Sequence, residues 1–228
     1  MGIQQQLCEI HGRLDRAAQK AGRDPKEVSL LCVSKNFPKE AICEAAACGE
    51  RLFGENRVDE FSIKHDNIKL SVDWHFIGQL QSNKVRKLIG KTSLIHSVDR
   101  PSLVKELQRR SLEAGVVTDI LLQVDLQKKE GRGGAGTDAA KALLEEVSLC
   151  DALRLRGLMN VAPFGLSALD TERNFADVKG LFDGFSRELK SPCFDTLSMG
   201  MSGDFELAIA QGSTLVRIGS AIFGARNY

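Results

Sequence analysis

Strand-like runs and helical patterns alternate along this chain from one end to the other, and that alternation limits it to a parallel α/β fold. The strand-like runs fall at 28–34, 51–54, 73–77, 94–97, 119–124, 155–159, 196–198 and 215–218. Between them the periodicity predicts helices at 39–48, 57–68, 82–88, 101–114, 137–150, 170–188 and 203–211, with a polar amphipathic helix over 1–24 in front. The run Leu30-Leu31-Cys32-Val33-Ser34 is apolar up to its serine, as a strand covered on both faces must be. Asp99-Arg100-Pro101 is a helix-start signal, and Gly49, Gly115 and Gly212 stand just past helix ends, where a left-handed cap is needed.

Two parallel architectures compete, an open doubly wound sheet and a closed barrel. An open sheet that binds a dinucleotide should carry GxGxxG in an early strand-to-helix turn, and none stands there. Eight repeats within about 200 residues suit a compact barrel. The expectation is therefore a single (β/α)8 TIM barrel with an additional N-terminal helix, one domain over residues 1–228. The glycine-rich segment Gly131 to Gly136 reads as a mobile surface loop, because it lacks the strand–loop–Lys-Ser/Thr order of a phosphate-cradling loop.

Lys plus Arg is 31 and Asp plus Glu 30, so a net charge of +1 gives no electrostatic case for nucleic acid or an anionic membrane. No apolar stretch approaches the length of a membrane span, and the N-terminus has no signal-peptide core. The six cysteines form no CxxC pair and have no histidine at zinc spacing, which predicts no metal site and reduced thiols in a cytoplasmic protein.

In a barrel, reactive side chains gather where strands end. The first strand delivers Lys35, followed by Asn36, Phe37 and Pro38, where the proline breaks the strand and opens a helix. A partly desolvated lysine at such a mouth is a Schiff-base candidate, and a solvated lysine at a strand end is the plain alternative. Ser202 after strand seven, and Gly219 and Ser220 after strand eight, stand where this fold commonly builds a phosphate site. Arg217 lies within strand eight and needs an acceptor inside the barrel, either a carboxylate such as Glu55 or a ring nitrogen. A lysine, a phosphate site and an aimed arginine together describe a pocket for pyridoxal 5′-phosphate.

Several motifs carry a resemblance: Val33-Ser34-Lys35, Phe53-Gly54-Glu55-Asn56, the stretch from His75-Phe76-Ile77-Gly78 to Lys84, and Leu155-Arg156-Gly157-Leu158-Met159. Ser198-Met199-Gly200-Met201-Ser202 and Arg217-Ile218-Gly219-Ser220 onward to Arg226 complete the set, in order and over nearly the whole chain. With them the sequence resembles the YggS/PROSC family of pyridoxal phosphate homeostasis proteins, whose fold is similar to the barrel domain of bacterial alanine racemase. The resemblance implies a Schiff base on Lys35, phosphate contacts from Ser202, Gly219 and Ser220, and Arg217 facing the pyridine nitrogen. Asn56 and His75 match the family's motifs at strand ends and are carried as cofactor-binding residues. The family's loop after strand five often reads Val-Asn-Ile, then a lysine before glycine; Asp125 and Arg132 stand in those places here.

Two functions follow, an amino-acid racemase of the alanine racemase type or a carrier that holds the cofactor for apo-forms of its enzymes. Racemisation needs an acid/base on each face of the cofactor. In the racemases one is a tyrosine positioned with the help of a second domain, whereas Tyr228, the one tyrosine here, is the last residue and leaves no room for such a domain. A guanidinium at the pyridine nitrogen keeps its own proton and leaves the ring a poor electron sink. Racemases tolerate such an arginine, so the expectation is a monomeric homeostasis protein without strong catalytic turnover, with room for a weak racemase-like side activity.

Overall fold

The computed structural model describes residues 2–127 and 133–224. Among these, eight parallel strands close into a barrel in chain order: β1 (Ser29–Val33), β2 (Leu52–Glu55), β3 (Asp73–Phe76), β4 (Leu94–Val98), β5 (Thr118–Val124), β6 (Leu153–Asn160), β7 (Thr196–Met201) and β8 (Leu215–Ile218). The seam is sealed by β1 against β8, with Ser29 opposite Leu215 and Cys32 opposite Ile218. Helix α1 (Ile3–Lys20) precedes β1, and α2 (Lys39–Ala47), α3 (Val58–Asn67), α4 (Pro101–Ala114), α5 (Thr137–Ser148), α6 (Ala168–Leu189), α7 (Phe205–Ala210) and α8 (Ser220–Phe223) follow β1, β2, β4, β5, β6, β7 and β8. No helix among the described residues is long and apolar enough to cross a membrane.

The strands form where the chain offers apolar runs that are buried almost throughout, as in Leu30 to Val33 and Leu94 to Val98. α4 starts with Pro101 in its first turn and stops at Gly115, whose φ of 65° is the left-handed cap that glycine adopts without penalty. α1 turns Leu7, Ile10, Leu14 and Ala18 inward and packs on α7, α8 and α2, covering the β1–β8 seam. Arg13 lies 4.6 Å over the Phe205 ring, and Arg23 donates to the Ile209 and Ser213 carbonyls, which fixes α1 to α7.

Four expectations need correction. Residues 82–88 are not an α-helix: Ser82–Lys87 is a 3-10 helix with Val85 alone buried, too thin an apolar face for an α-helix to rest on. β6 begins earlier than its apolar run, because Arg154 and Arg156 pair with Asp119 at 2.7 and 2.8 Å at the strands' N-terminal ends. The helix expected from 203 begins only at Phe205, since Asp204 accepts from the Met201 N–H and closes a turn that holds Ser202 and Gly203. The described part of the glycine-rich segment, residues 133–136, is tied to β5 instead of hanging free. Ala135 donates to the Gln123 carbonyl at 2.8 Å, and its own carbonyl accepts from Asp125 at 3.0 Å. Residues 131 and 132 lie outside the described residues.

The barrel interior is polar on one side. His96 on β4 reaches Ser198 on β7 at 3.1 Å, and since these strands are not neighbours the bond crosses the interior. His75 on β3 joins from the other side, Nδ1 to His96 Nε2 at 3.0 Å, and Arg217 on β8 donates to Ser198 Oγ at 2.7 Å. The direction of the chain follows from Arg217, which can only donate. Ser198 Oγ accepts from it and donates to His96 Nδ1, His96 Nε2–H donates to His75 Nδ1, and the His75 proton stands on Nε2. The opposite order would strand the hydroxyl proton of a fully buried serine.

Burial holds both rings neutral, pushing His75 down to about 4 and His96 well below its ordinary value, with Arg156 adding to the first and His75 and Arg217 to the second. The unfolded chain binds protons on these residues below about pH 6.5. Stability is therefore complete above that pH and falls as pH drops toward 4, by up to ~1.4 kcal/mol per unit for each ring. Urea midpoints measured from pH 7 to 4.5 should show this fall, and His75→Gln, which keeps an acceptor for His96, should flatten it. Equal slopes in the two proteins would refute the assignment.

Candidate functional site at the strand mouths

Lys35 does not simply end a strand. It is the second residue of a turn in which Phe37 N–H donates to the Ser34 carbonyl at 3.0 Å and Asn36 has φ 66°. Positive φ at the third position is the mark of a type II turn, a place asparagine tolerates. The turn lifts the half-buried Lys35 away from the buried Ser34 and hands the chain to Pro38, the N-cap of α2.

Beneath the turn lies an ionic cluster. Lys64 on α3, almost fully buried, donates to the Ser34 carbonyl at 2.8 Å and to Glu55 and Glu60 at 2.7 Å each. Ser34 Oγ donates to the same Glu55 oxygen at 2.7 Å, and Asn36 N–H donates to Glu60 at 2.6 Å. Desolvation raises the Glu55 pKa, while Lys64 and Ser34 pull it back. Glu55 therefore belongs to Lys64, and the pairing with Arg217 that spacing allowed does not form.

Asn56 follows Glu55, and its Oδ1 is buried with no hydrogen-bond partner among the described residues. Gly78 passes so close over Asn56 that a Cβ there would overlap the Asn56 carbonyl, so β2 and β3 end in contact only because residue 78 is glycine. His75 sits one step inside the barrel, bonded to His96, and not at the rim.

On the opposite side, Arg217 is held from two strands. It donates to the Ser198 carbonyl and hydroxyl and to the Asn160 carbonyl, all at 2.7 Å. Burial pushes the guanidinium down to about 10, with Asp204 opposing, which leaves it charged at neutral pH. Gly219 and Ser220 follow at the start of α8, and a Cβ on Gly219 would stand 3.0 Å from the Val33 carbonyl. That close approach sets the Gly219–Ser220 turn beside the turn of Lys35. Ser202 stands in the turn before α7, outside any helix.

Two clefts flank these strand ends. One of about 960 Å³ is lined by Asn56, Arg57, Glu60, Lys64, Gln81 and Lys84, among others. The other, about 460 Å³, lies between residues 161–166 and Met201, Gly203 and Asp204. Neither is lined by Lys35, Arg217, Gly219 or Ser220, so the site is defined by the convergence of strand ends and not by cleft size. Sequence reasoning missed His96, Glu60 and Lys64, and met Asn160 and Ser198 only as strand-end residues without a role. A histidine within the apolar run Leu94-Ile95-His96-Ser97-Val98 was the one visible signal. Glu60 and Lys64 look like an ordinary surface pair at i,i+4 spacing. Arg132 and Tyr228 lie outside the described residues.

Residues 7–227 match the family described as alanine racemase, N-terminal domain. The pyridoxal phosphate homeostasis protein of Aquifex aeolicus is 40% identical, covering all of both chains. That of Escherichia coli K12 is 37% identical over 99% of this chain and 97% of its own. PipY of Synechococcus elongatus, solved with PLP bound, superposes with a TM-score of 0.82 at 38% identity, covering 93% of this chain and all of its own. Alanine racemase of Corynebacterium glutamicum, at 16% identity and a TM-score of 0.69, covers 96% of this chain with 61% of its own and shares the fold. With its closed barrel, its lysine turn and a match over almost its full length, this chain belongs to the alanine racemase N-terminal domain family, in the branch of the pyridoxal phosphate homeostasis proteins.

Proposed function

We propose that this chain binds pyridoxal 5′-phosphate at the mouths of β1, β2, β7 and β8 and serves the homeostasis of that cofactor, as one domain and without strong catalytic turnover. The observation that carries the reading is the approach of Gly219 to Val33, which sets a phosphate-type turn beside the turn of Lys35, with Arg217 two residues back in β8. When bound, the cofactor supplies an electrophilic aldehyde and an electron-withdrawing ring. Every other feature belongs to the protein.

The residues fit that group. Lys35 is the amine that takes the aldehyde as a Schiff base. Ser202 and Ser220 offer hydroxyls, and the Ser220 and Ala221 N–H groups, which lie ahead of the N–H groups of Ile222 and Phe223 that bond the Gly219 carbonyl, suit a phosphate together with Gly219. Arg217 is a permanent donor toward a ring nitrogen. The orphaned Oδ1 of Asn56 lacks the donor that a phenolic hydroxyl provides. His75 enters as a neutral ring whose remaining proton is on Nε2. Relatives that carry the homeostasis name, and PipY with PLP bound, support the same reading. It extends to a monomer in the cytoplasm that releases cofactor to apo-enzymes, in keeping with six unpaired cysteines.

The racemase alternative lacks support from the site. Arg217 does not give up its proton, both histidine rings are held neutral by burial, and the likeness to alanine racemase concerns the fold.

Purified protein loaded with pyridoxal phosphate should be yellow, lose its visible band on borohydride reduction and gain mass at Lys35. Lys35→Ala should still bind cofactor through the phosphate turns but without that band. Mass added at another lysine would overturn the assignment. With L-alanine in deuterated water the loaded protein should form negligible D-alanine, because a positioned second acid/base is worth about 10²–10⁴ in rate. Turnover at roughly 1–10³ per second would contradict the homeostasis reading.

A further inference from the structure

The peptide groups on either side of Lys35 are both held by one ion pair. The Ser34 carbonyl belongs to the peptide before Lys35 and accepts from Lys64 Nζ at 2.8 Å. The Asn36 N–H belongs to the peptide after it and donates to Glu60 Oε1 at 2.6 Å. Lys64 and Glu60 are themselves joined at 2.7 Å through that same Oε1. A residue has two soft backbone dihedrals, so fixing the peptide planes on both sides fixes the direction in which its side chain leaves. A non-glycine residue at positive φ, as Asn36 is, keeps that conformation only where its surroundings over-determine it.

Resting on the reading that Lys35 is the cofactor-bearing amine, we propose that the Lys64–Glu60 pair is its positioning device. It clamps the Lys35 backbone to α3 and, through Glu55, to the end of β2, so the side chain leaves the turn in one direction. The cluster also separates the two lysines chemically. An ammonium has three protons to donate, and all three of Lys64 are engaged, with Ser34, Glu55 and Glu60. Lys64 is thereby committed to the cluster that positions the other amine.

Glu60 is the residue to change, because its side chain is 21% exposed while that of Lys64 is only 7% exposed. Glu60→Ala frees the Asn36 N–H; Glu60→Gln keeps an amide oxygen for the same bonds without the charge. Three quantities separate positioning from folding: the rate at which borohydride-trappable cofactor accumulates on Lys35, the visible circular dichroism per bound chromophore, and the thermal midpoint. Glu60→Ala should slow trapping roughly tenfold, the scale of one or two lost hydrogen bonds. Its dichroism per chromophore should fall by about half as the chromophore loses a fixed orientation, with the midpoint little changed. Glu60→Gln should restore both to within about twofold of wild type. Should Glu60→Ala not fold, Glu60→Asp, one methylene too short to span both partners, takes its place with the same expectation.

Wild-type trapping and dichroism in Glu60→Ala would overturn the proposal, as would a Gln variant as impaired as the Ala variant, or label on Lys64. If the wild-type chain itself takes no label at Lys35, the cofactor reading fails and the positioning role falls with it. That outcome is distinct, because it is seen before any variant is made.

Discussion

Everything in this molecule depends on β8 closing against β1. The four-residue register from Ser29–Leu215 to Cys32–Ile218 joins the two ends of the chain and turns an open ribbon of repeats into a barrel. Without it Lys35, which follows the first strand, and Arg217, which lies in the last, would belong to opposite edges of a sheet. With it they stand on neighbouring strands, Leu31 directly opposite Arg217. The closure is tight at Gly219, where a Cβ would stand 3.0 Å from the Val33 carbonyl. It is reinforced from outside by α1, whose apolar stripe packs on the helices flanking the seam.

Closure also creates an interior that has to be filled. A barrel of this size has room for side chains and little else. Here part of the filling is a directed hydrogen-bond chain from Arg217 through Ser198 and His96 to His75. A buried guanidinium is costly unless its protons find acceptors. Three acceptors at 2.7 Å, drawn from β6 and β7, meet that demand and leave the arginine with little freedom. The histidines beyond it are neutral because they are buried and bonded, so the charge stays on the one residue that cannot lose it.

The fold was legible because a parallel barrel repeats its signal: eight apolar runs, most of them followed by a turn and an amphipathic helix. Boundaries were lost where charge or glycine interrupts that signal, as at Arg154 and Arg156 in β6 or Gly200 in β7. Lys35, Gly219, Ser220 and Arg217 were legible because strand ends are where side chains of a barrel meet. The supporting residues were not. Lys64 looks like a solvated helix lysine four residues from a glutamate, and nothing local says that its helix turns it inward under another strand's turn. Ser198 and Asn160 are ordinary polar residues until the closed barrel brings an arginine to them. The error about the glycine-rich segment has the same origin: Ala135 is buried only because β5 lies beside it.

The distribution of charge favours holding a cofactor over turning over a substrate. A catalyst of proton transfer keeps groups poised to change protonation state near the reacting atoms. Here the nearby ionisable groups are each committed. Lys64 donates its three protons to Ser34, Glu55 and Glu60; His75 and His96 are bonded in one tautomeric order; Arg217 has three of its five N–H groups on carbonyls and a hydroxyl. Such commitment lowers the freedom of the site without supplying an acid or a base, and rigidity of this kind reduces what is lost on binding. A site that holds one guanidinium and the backbone of one amine in fixed bonds is suited to keeping a cofactor in place.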